Sequence, residues 1–356
     1  MIEVYRDTKI YIVVPAGKAT GGPEILYMLG EVLLNNLKIP TFIYFLPNNR
    51  KESIPSDYKI YNILTIDRID DENRNILIVP ETYNFILFSK KFQRVRKVLY
   101  WLSVDYFYQT MFYRTFEGFI KASINSLNVL LIKELGKTFL PHYDIASRVL
   151  DRYKNFDLKN FCYTSDFIFH LTQGRRILDH LREKGLQNSE CIFDYINQEF
   201  LKENFNISEK EDIVLFNPKK GFEFTSKIIS YAKDIKFVPI VGLDRKGVIN
   251  LLKKAKVYID FGPFPGRERI PREAAVLGCC VITGKRGSAK YYEDVPIPEE
   301  YKFENLEENI PLIVEKIKDC MENYNDRIKD FEKTRELVKK EPELYIENLK
   351  KIFVKV

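Results

Sequence analysis

The sequence predicts an α/β protein built from two Rossmann-like domains. Three observations point there. At 356 residues the chain is too long for one ordinary hydrophobic core. Short apolar runs of strand type alternate with helical patterns along most of it, the rhythm of a doubly wound parallel sheet. Finally, the opening strand–loop–helix design recurs after residue 212, in IVLFNPKKGFEFTSKIISYA.

Residues 9–14, KIYIVV, read as a buried strand, followed by the loop PAGKATGGP and the helix EILYMLGEVLLNNL. The loop lacks the G-x-G-x-x-G spacing of a dinucleotide site, so a tightly held NAD is not indicated. Gly21 and Gly22 either let a substrate approach the backbone or close a plain turn. Strands are expected next at TFIYFL, KIYNIL, NILIVP and VRKVLYWLSV, with a helical stretch near YNFILFSKKF. Glu81 and Asp105 fall just past strand ends, a place that suits a general base or acceptor anchor and equally a helix cap. Trp101, the only tryptophan, is expected to pack within its strand.

From about residue 106 to 160 the periodicity weakens and aromatic and basic residues accumulate, which predicts a helical insertion in the first domain. Lys121, Lys133 and Lys137 beside Phe119, Leu130 and Leu131 form an amphipathic surface that either packs inward or rests on a membrane or a lipid-linked acceptor. The α/β rhythm resumes with DFIFHLTQ as strand, RRILDHLREKGL as a helix closed by Gly185, and CIFDYI as strand. His142, His170 and His180 are the only histidines, and their separation offers no metal pair. Of these His170 alone is retained as a candidate.

The polar run LKENFNISEKED, residues 201–212, marks the boundary between an N-terminal acceptor domain over 1–205 and a C-terminal donor domain over 206–356. In the second domain Lys219, Lys220 and Gly221 follow the first strand, where a nucleotide phosphate would sit. Strands in KFVPIVGL and LLKKAKVYIDF lead to the chemically densest stretch, VYIDFGPFPGRERIPREAAVLGCCVIT, residues 257–283. It reads as strand, glycine-bearing loop, short helix and strand, with Pro271 at the helix start and Gly278 at its stop. Arg267, Arg269 and Arg272 supply three cationic forks suited to phosphate, and Glu273 a fixed acceptor among them. Lys285 and Arg286 follow the next strand. Pro311 is expected to start a long helix through about Val338, and Pro342 to restart another.

Composition narrows the function classes. A net charge of +6 without a long basic block gives little support to nucleic-acid binding and suits anionic lipid or phosphates. The five cysteines, 162, 191, 279, 280 and 320, show neither metal-ligand spacing nor a paired framework, which predicts a reducing compartment. No stretch reaches the roughly 18 uncharged apolar residues of a spanning helix. A cytoplasmic protein is expected, peripheral on the inner face of the cell membrane.

The Gly21–Gly22 loop, Lys220–Gly221 and GRERIPREAAVLGCCVIT together resemble the GT-B glycosyltransferases, most nearly the family 4 type, across nearly the whole chain. The resemblance implies two Rossmann-like domains with C-terminal helices crossing back, and closure over the donor to exclude water. In that family the late motif is Glu-x7-Glu. Glu273 with Ala274, Ala275 and Gly278 matches its second half, which implies hydrogen bonds from the donor ribose. Pro265 stands where the first glutamate would be, and Glu268 is the carboxylate that could reach the same space from a rearranged loop. By the same resemblance Lys220 would hold the diphosphate, helped by the arginines. The implied reaction moves a sugar from a nucleotide-sugar donor to a glycan or lipid-linked acceptor in surface polysaccharide assembly, with no metal or other cofactor. Two other readings stand beside it: a nucleotide-sugar epimerase of the same fold, and a catalytically degenerate nucleotide-binding subunit suggested by the missing glutamate.

Overall fold

The computed structural model describes residues 1–17, 21–46, 54–135, 140–141, 145–162 and 168–356, with the side chains of 128–135, 146–148 and 168 outside that description. Lys137 and His142, and the side chains of Leu130, Leu131 and Lys133, therefore lie outside the described residues. The chain divides into two compact units, one of Met1–Thr172, Ile177–Glu190 and Lys350–Val356, the other of Gln173–Arg176 and Cys191–Leu349.

In the first unit, β1 (Ile2–Val4), β2 (Ile10–Pro15), α1 (Gly21–Asn35), β3 (Thr41–Leu46), β4 (Thr65–Ile66), β5 (Ile76–Pro80) and β6 (Arg96–Trp101) come in turn. The helical insertion follows as α2 (Val104–Tyr113), α3 (Phe116–Leu135), α4 (Ile145–Arg152) and α5 (Leu158–Cys162). Then come β7 (Ile168–Thr172), α6 (Arg175–Glu183) and β8 (Ser189–Cys191). Seven strands form a sheet in the order β4-β3-β2-β5-β6-β7-β8, and the strands from β4 to β7 pair in parallel. The chain steps one way from β2 to β3 and β4 and the other way from β2 to β5, so the topological switch lies between β2 and β5.

The second unit begins with α7 (Gln198–Leu201), β9 (Glu211–Phe216), α8 (Phe222–Tyr231), β10 (Lys236–Pro239), α9 (Arg245–Lys254) and β11 (Ala255–Asp260). It continues through α10 (Ile270–Val276), β12 (Cys280–Gly284), β13 (Lys302–Phe303), α11 (Ile310–Glu322), α12 (Tyr324–Arg327) and α13 (Glu332–Ile352), and β14 (Phe353–Lys355) follows. The sheet is fully parallel in the order β10-β9-β11-β12-β13, with its switch between β9 and β11. β14 pairs in parallel with β1, Ile2 facing Phe353, so the C-terminal segment belongs to the first unit.

Five expectations change, one being the single helix expected from Pro311 to about Val338, which breaks after Glu322 into α11, α12, a 3-10 turn at Ile328–Phe331 and α13. KIYNIL is not a strand: residues Ser56–Tyr61 form a 3-10 turn ending at Asn62 in the left-handed region. Its three-residue spacing places Tyr58 and Tyr61 against Tyr27, and the Tyr61 hydroxyl donates to Glu24 Oε1 at 2.9 Å. CIFDYI has no regular structure beyond Cys191. Pro342 lies inside α13 and does not restart it, because Val338, Glu341, Tyr345 and Leu349 bury one continuous face across the missing hydrogen bond. The units also divide at 190/191, ahead of the polar run, since Ile196 and Phe200 belong to the apolar cluster of the second unit.

Candidate functional site

The carboxyl ends of β9 and β11 flank the switch of the second unit, the place where open α/β sheets bind ligands. Gly221 ends the loop after β9 with φ +64, and a Cβ there would fall 2.3 Å from Phe261 O in the loop after β11. Only glycine lets these two loops touch. Gly221 is also the N-cap of α8, and no side chain caps that helix, which leaves its first N–H groups without side-chain acceptors. Beside it Lys220 Nζ donates to Glu268 Oε1 at 2.6 Å. Both side chains keep partial exposure, 31% and 20%.

Beneath the pair, Asp260 ends β11 and accepts hydrogen bonds from Tyr258 Oη and Gly262 N, each at 2.9 Å. Burial raises its carboxyl to about 6, with the Glu268 charge adding to the effect and the two hydrogen bonds and Lys220 opposing it. Burial, followed by the Asp260 charge, pushes the Tyr258 phenol well up, and Glu268 and Glu273 push the same way. Glu273 is buried in the first turn of α10. Three carboxylates and one lysine thus share this end of the sheet.

The arginines have a different fate from the one their spacing suggested. Arg267 and Arg272 are buried, and Glu341 of α13 bridges them, Oε1 accepting from Arg267 Nη2 and Oε2 from Arg272 Nη1, both at 2.7 Å. Asp194, from the irregular CIFDYI stretch, accepts from Arg272 Nη2 at 2.9 Å through Oδ1, and its carbonyl accepts from Arg267 and Arg272. Arg269 Nε leans on the same carboxylate at 3.4 Å. Burial pushes the Asp194 carboxyl up, but Arg272, Arg267 and Arg269 outweigh it and hold it below the usual range. Arg267 and Arg272 are therefore internal ties of the 266–272 loop. Buried charges persist only when paired, and here both carboxylates arrive from distant sequence. Neither α10 nor α8 has a side-chain cap at its start, and the two carboxylates bond the arginine side chains of the loop ahead of α10 and of its first turn.

In the first unit, Glu81 and the Gly21–Gly22 pair follow the two strands that flank its switch. Gly21 and Gly22 begin α1 with nothing closer to their would-be Cβ atoms than Leu102 Cδ1 at 3.7 Å, and the glycine that takes a positive φ in this loop is Gly17. Glu81 is 1% exposed and accepts from Leu102 N at 3.0 Å, joining the ends of β5 and β6. Burial pushes its carboxyl up to about 8 against the backbone N–H groups of Leu102, Glu81 and Ser103. Asp105 is the more open carboxylate, in the first turn of α2 behind the Ser103 cap. His170 is buried, its Nδ1 accepting from Trp101 Nε1 at 3.0 Å, and burial lowers it to about 4. Its ring packs against Trp101. Lys285, just past β12, pairs with Glu299 at 2.5 Å.

Sequence reading missed Asp260 and Tyr258, although a carboxylate closing the VYID strand was a visible signal. It also missed a polar row on the same sheet end. Asp260, Thr283 and Lys302 occupy matching register positions on β11, β12 and β13. Thr283 Oγ1, Ser288 Oγ, Lys302 Nζ and Asn305 Oδ1 are buried with no protein hydrogen-bond partner, and burial lowers the Lys302 amine to about 8. Among the described residues, no group of three or more His, Cys, Asp or Glu side chains could hold a metal, and no helix is long and apolar enough to cross a membrane.

No protein-family model matches the chain, and no curated protein matches it in sequence. Solved structures do match in shape. A glycosyltransferase from Rickettsia africae superposes with a TM-score of 0.60 at 15% identity, covering 98% of both chains. The sucrose-phosphate synthase of Thermosynechococcus elongatus gives 0.58 at 11% identity, again over 98% of both. The catalytic domain of starch synthase IV from Arabidopsis thaliana, bound to ADP and acarbose, gives 0.53 at 10% identity over 96% of this chain and 99% of that one. At such identities the likeness concerns the fold, which is GT-B.

Proposed function

We propose that this GT-B-fold chain is a glycosyltransferase that takes a sugar from a nucleotide-sugar donor. The observation that carries the reading is the partly exposed Lys220–Glu268 pair beside the uncapped start of α8, at the switch of a parallel sheet. Breaking the anomeric C–O bond leaves a diphosphate, so negative charge grows on the leaving group. Lys220 and the N–H groups at the start of α8 stabilise that charge without a metal, on the order of several kcal/mol in a water-poor site. A donor phosphate competes with Glu268 for Lys220, and Glu268, released, accepts a donor hydroxyl. Glu273 serves as a second acceptor, and Arg269 assists at the edge.

The acceptor in this reading is a glycan or a lipid-linked glycan of surface polysaccharide assembly, met at a membrane face. Support comes from α3, where Phe116 at 82% and Phe119 at 65% exposure join Ile120 and Leu127 in one outward stripe, with Tyr113 and Arg114 just ahead of it. An exposed aromatic stripe of this kind suits an interfacial helix. Asp105 and Glu81 are the first-unit carboxylates proposed to serve the acceptor hydroxyl, Asp105 directly and Glu81 by positioning.

A second reading, a catalytically degenerate nucleotide-binding subunit, gains one observation. With Arg267 and Arg272 spent on Asp194 and Glu341, their presence no longer requires an anionic ligand. Incubation with a panel of nucleotide sugars, followed by thermal shift and by release of free nucleotide, separates the readings. Stabilisation with nucleotide release supports the transferase, stabilisation alone supports the degenerate subunit, and an isomerised donor indicates an epimerase. No stabilisation by any nucleotide removes all three.

A further inference from the structure

A cavity of about 300 Å³ lies in the first unit at the amino ends of β2 and β3, the end of the sheet away from its switch-point loops. The exposed residues Arg6, Lys38 and Lys355 line it together with Tyr5, Thr8 and Val356, and no carboxylate side chain does. Among the described residues none of the three cations makes an ion pair. Of the acids of the neighbouring segments, Asp7 pairs with Arg74 at 3.2 Å and Asp70 with Lys9 at 2.8 Å, while Glu3 accepts from the hydroxyl of the lining residue Tyr5 at 2.6 Å. Thr8 Oγ1 is likewise used, donating to Arg74 O and accepting from Tyr5 N. Three like charges around one concavity repel each other and attract a compact anion.

The backbone at Lys38 adds to this. Lys38 has φ 57, the left-handed conformation that glycine adopts most readily. It sits where the chain leaves α1, with Leu37 N bonded to Val32 O and Ile39 N to Leu33 O, the pattern in which glycine is the usual residue. A lysine here carries a backbone strain that glycine would relieve, and what it supplies in return is a positive charge on the cavity wall.

We propose that this cavity binds a compact phosphate-bearing anion, held by Arg6, Lys38 and Lys355, at a site separate from the Lys220 region. The volume lies at the small end of ligand pockets and suits a pyrophosphate or a phosphomonoester of sugar size. The same chemistry could be offered by a soluble phosphate compound or by the headgroup of an anionic lipid, and the experiment separates the two.

Pyrophosphate is titrated calorimetrically into full-length Lys220→Ala protein, which removes the main cation of the other site, at low and at about 0.3 M salt. The proposal expects one binding event that weakens with salt. It expects that event to weaken about tenfold or more on adding Arg6→Ala or Lys355→Ala, since charge-assisted phosphate contacts are of that order. Lys38→Gly is the decisive variant: it should raise the melting temperature without ligand while losing pyrophosphate affinity, a pairing that a merely structural lysine does not produce. Co-sedimentation with phosphatidylglycerol vesicles, lost in the Arg6→Ala and Lys355→Ala variants while pyrophosphate does not bind, would assign the anion to a lipid headgroup. Absence of both binding modes, or binding unchanged in all three variants, overturns the proposal.

Discussion

Glu341 and Arg272 lie 2.7 Å apart, both all but inaccessible to solvent, and the same carboxylate reaches Arg267 at 2.7 Å through its other oxygen. One side chain of α13 thereby fixes the loop that carries Glu268. Replacing Glu341 with Gln keeps the shape but leaves two buried guanidinium groups short of charge. A loss of about 3 kcal/mol is expected in denaturant unfolding of the second unit, whereas Glu343→Gln, on the exposed side of the same helix, should change little.

Lys220 and Glu268 should respond with opposite signs. Lys220→Ala removes the cation proposed for the diphosphate and is expected to weaken nucleoside diphosphate binding about tenfold or more. Glu268→Gln releases Lys220 from its ion pair, so the free diphosphate should bind more tightly. Calorimetric titration reads both, and a parallel loss in the two variants would refute the competition between Glu268 and phosphate.

The two carboxyls raised by burial set a pH dependence. Glu81 stands at about 8 and Asp260 at about 6, both above their ordinary values. A carboxyl that binds its proton more tightly when folded contributes stability that is complete at acid pH and lost as pH climbs through the folded value. Thermal stability should therefore fall between about pH 4 and 6 through Asp260 and on towards pH 8 through Glu81. His170, lowered to about 4, acts the other way, its contribution being lost as pH drops from 6.5 towards 4. Glu81→Gln should flatten the alkaline part of the profile in a pH series of melting curves.

Gly221→Ala places a Cβ 2.3 Å from Phe261 O at a positive φ. Both the steric contact and the backbone conformation oppose it, and a destabilisation of about 2 kcal/mol is expected, with weaker nucleotide binding because the β9 and β11 loops separate. Gly21→Ala, which meets nothing within 4 Å, should be tolerated by the fold. A combined denaturation and nucleotide-binding measurement checks the contrast.

The stripe on α3 predicts that Phe116→Ser with Phe119→Ser lowers partition onto anionic vesicles without lowering the melting temperature, since both rings are largely in solvent. Vesicle flotation of the variant against the native chain tests it, and unchanged flotation would exclude this helix as the docking element.

Much of this architecture was written in local patterns. KIYIVV, TFIYFL and VYIDF gave strands because each is an unbroken or alternating apolar run closed by turn residues, and Pro271 began α10 where a residue without an N–H is harmless. Lys220 and Gly221 were legible because a strand-to-helix turn can be read from neighbours. The fate of Arg267 and Arg272 was not, since their partners lie 69 to 78 residues away and no spacing rule joins them. A cation in a loop looks the same in sequence whether it faces a ligand or a buried carboxylate. Asp260 was overlooked for the converse reason: its importance comes from Tyr258 and Gly262 converging on it, and from the field of Glu268 above.

The bridge at Glu341 also sets an order of events during synthesis. Glu341 follows Arg272 by 69 residues, so at the usual ribosomal pace of about 5–20 residues per second the loop waits roughly 3–14 s for its partner to be made. Until then the arginines have no Glu341 to close on. The nascent chain therefore holds a sheet that can assemble before the loop ahead of α10 can be locked, and chaperone capture or proteolysis on the ribosome should concentrate on residues 263–272 during that interval.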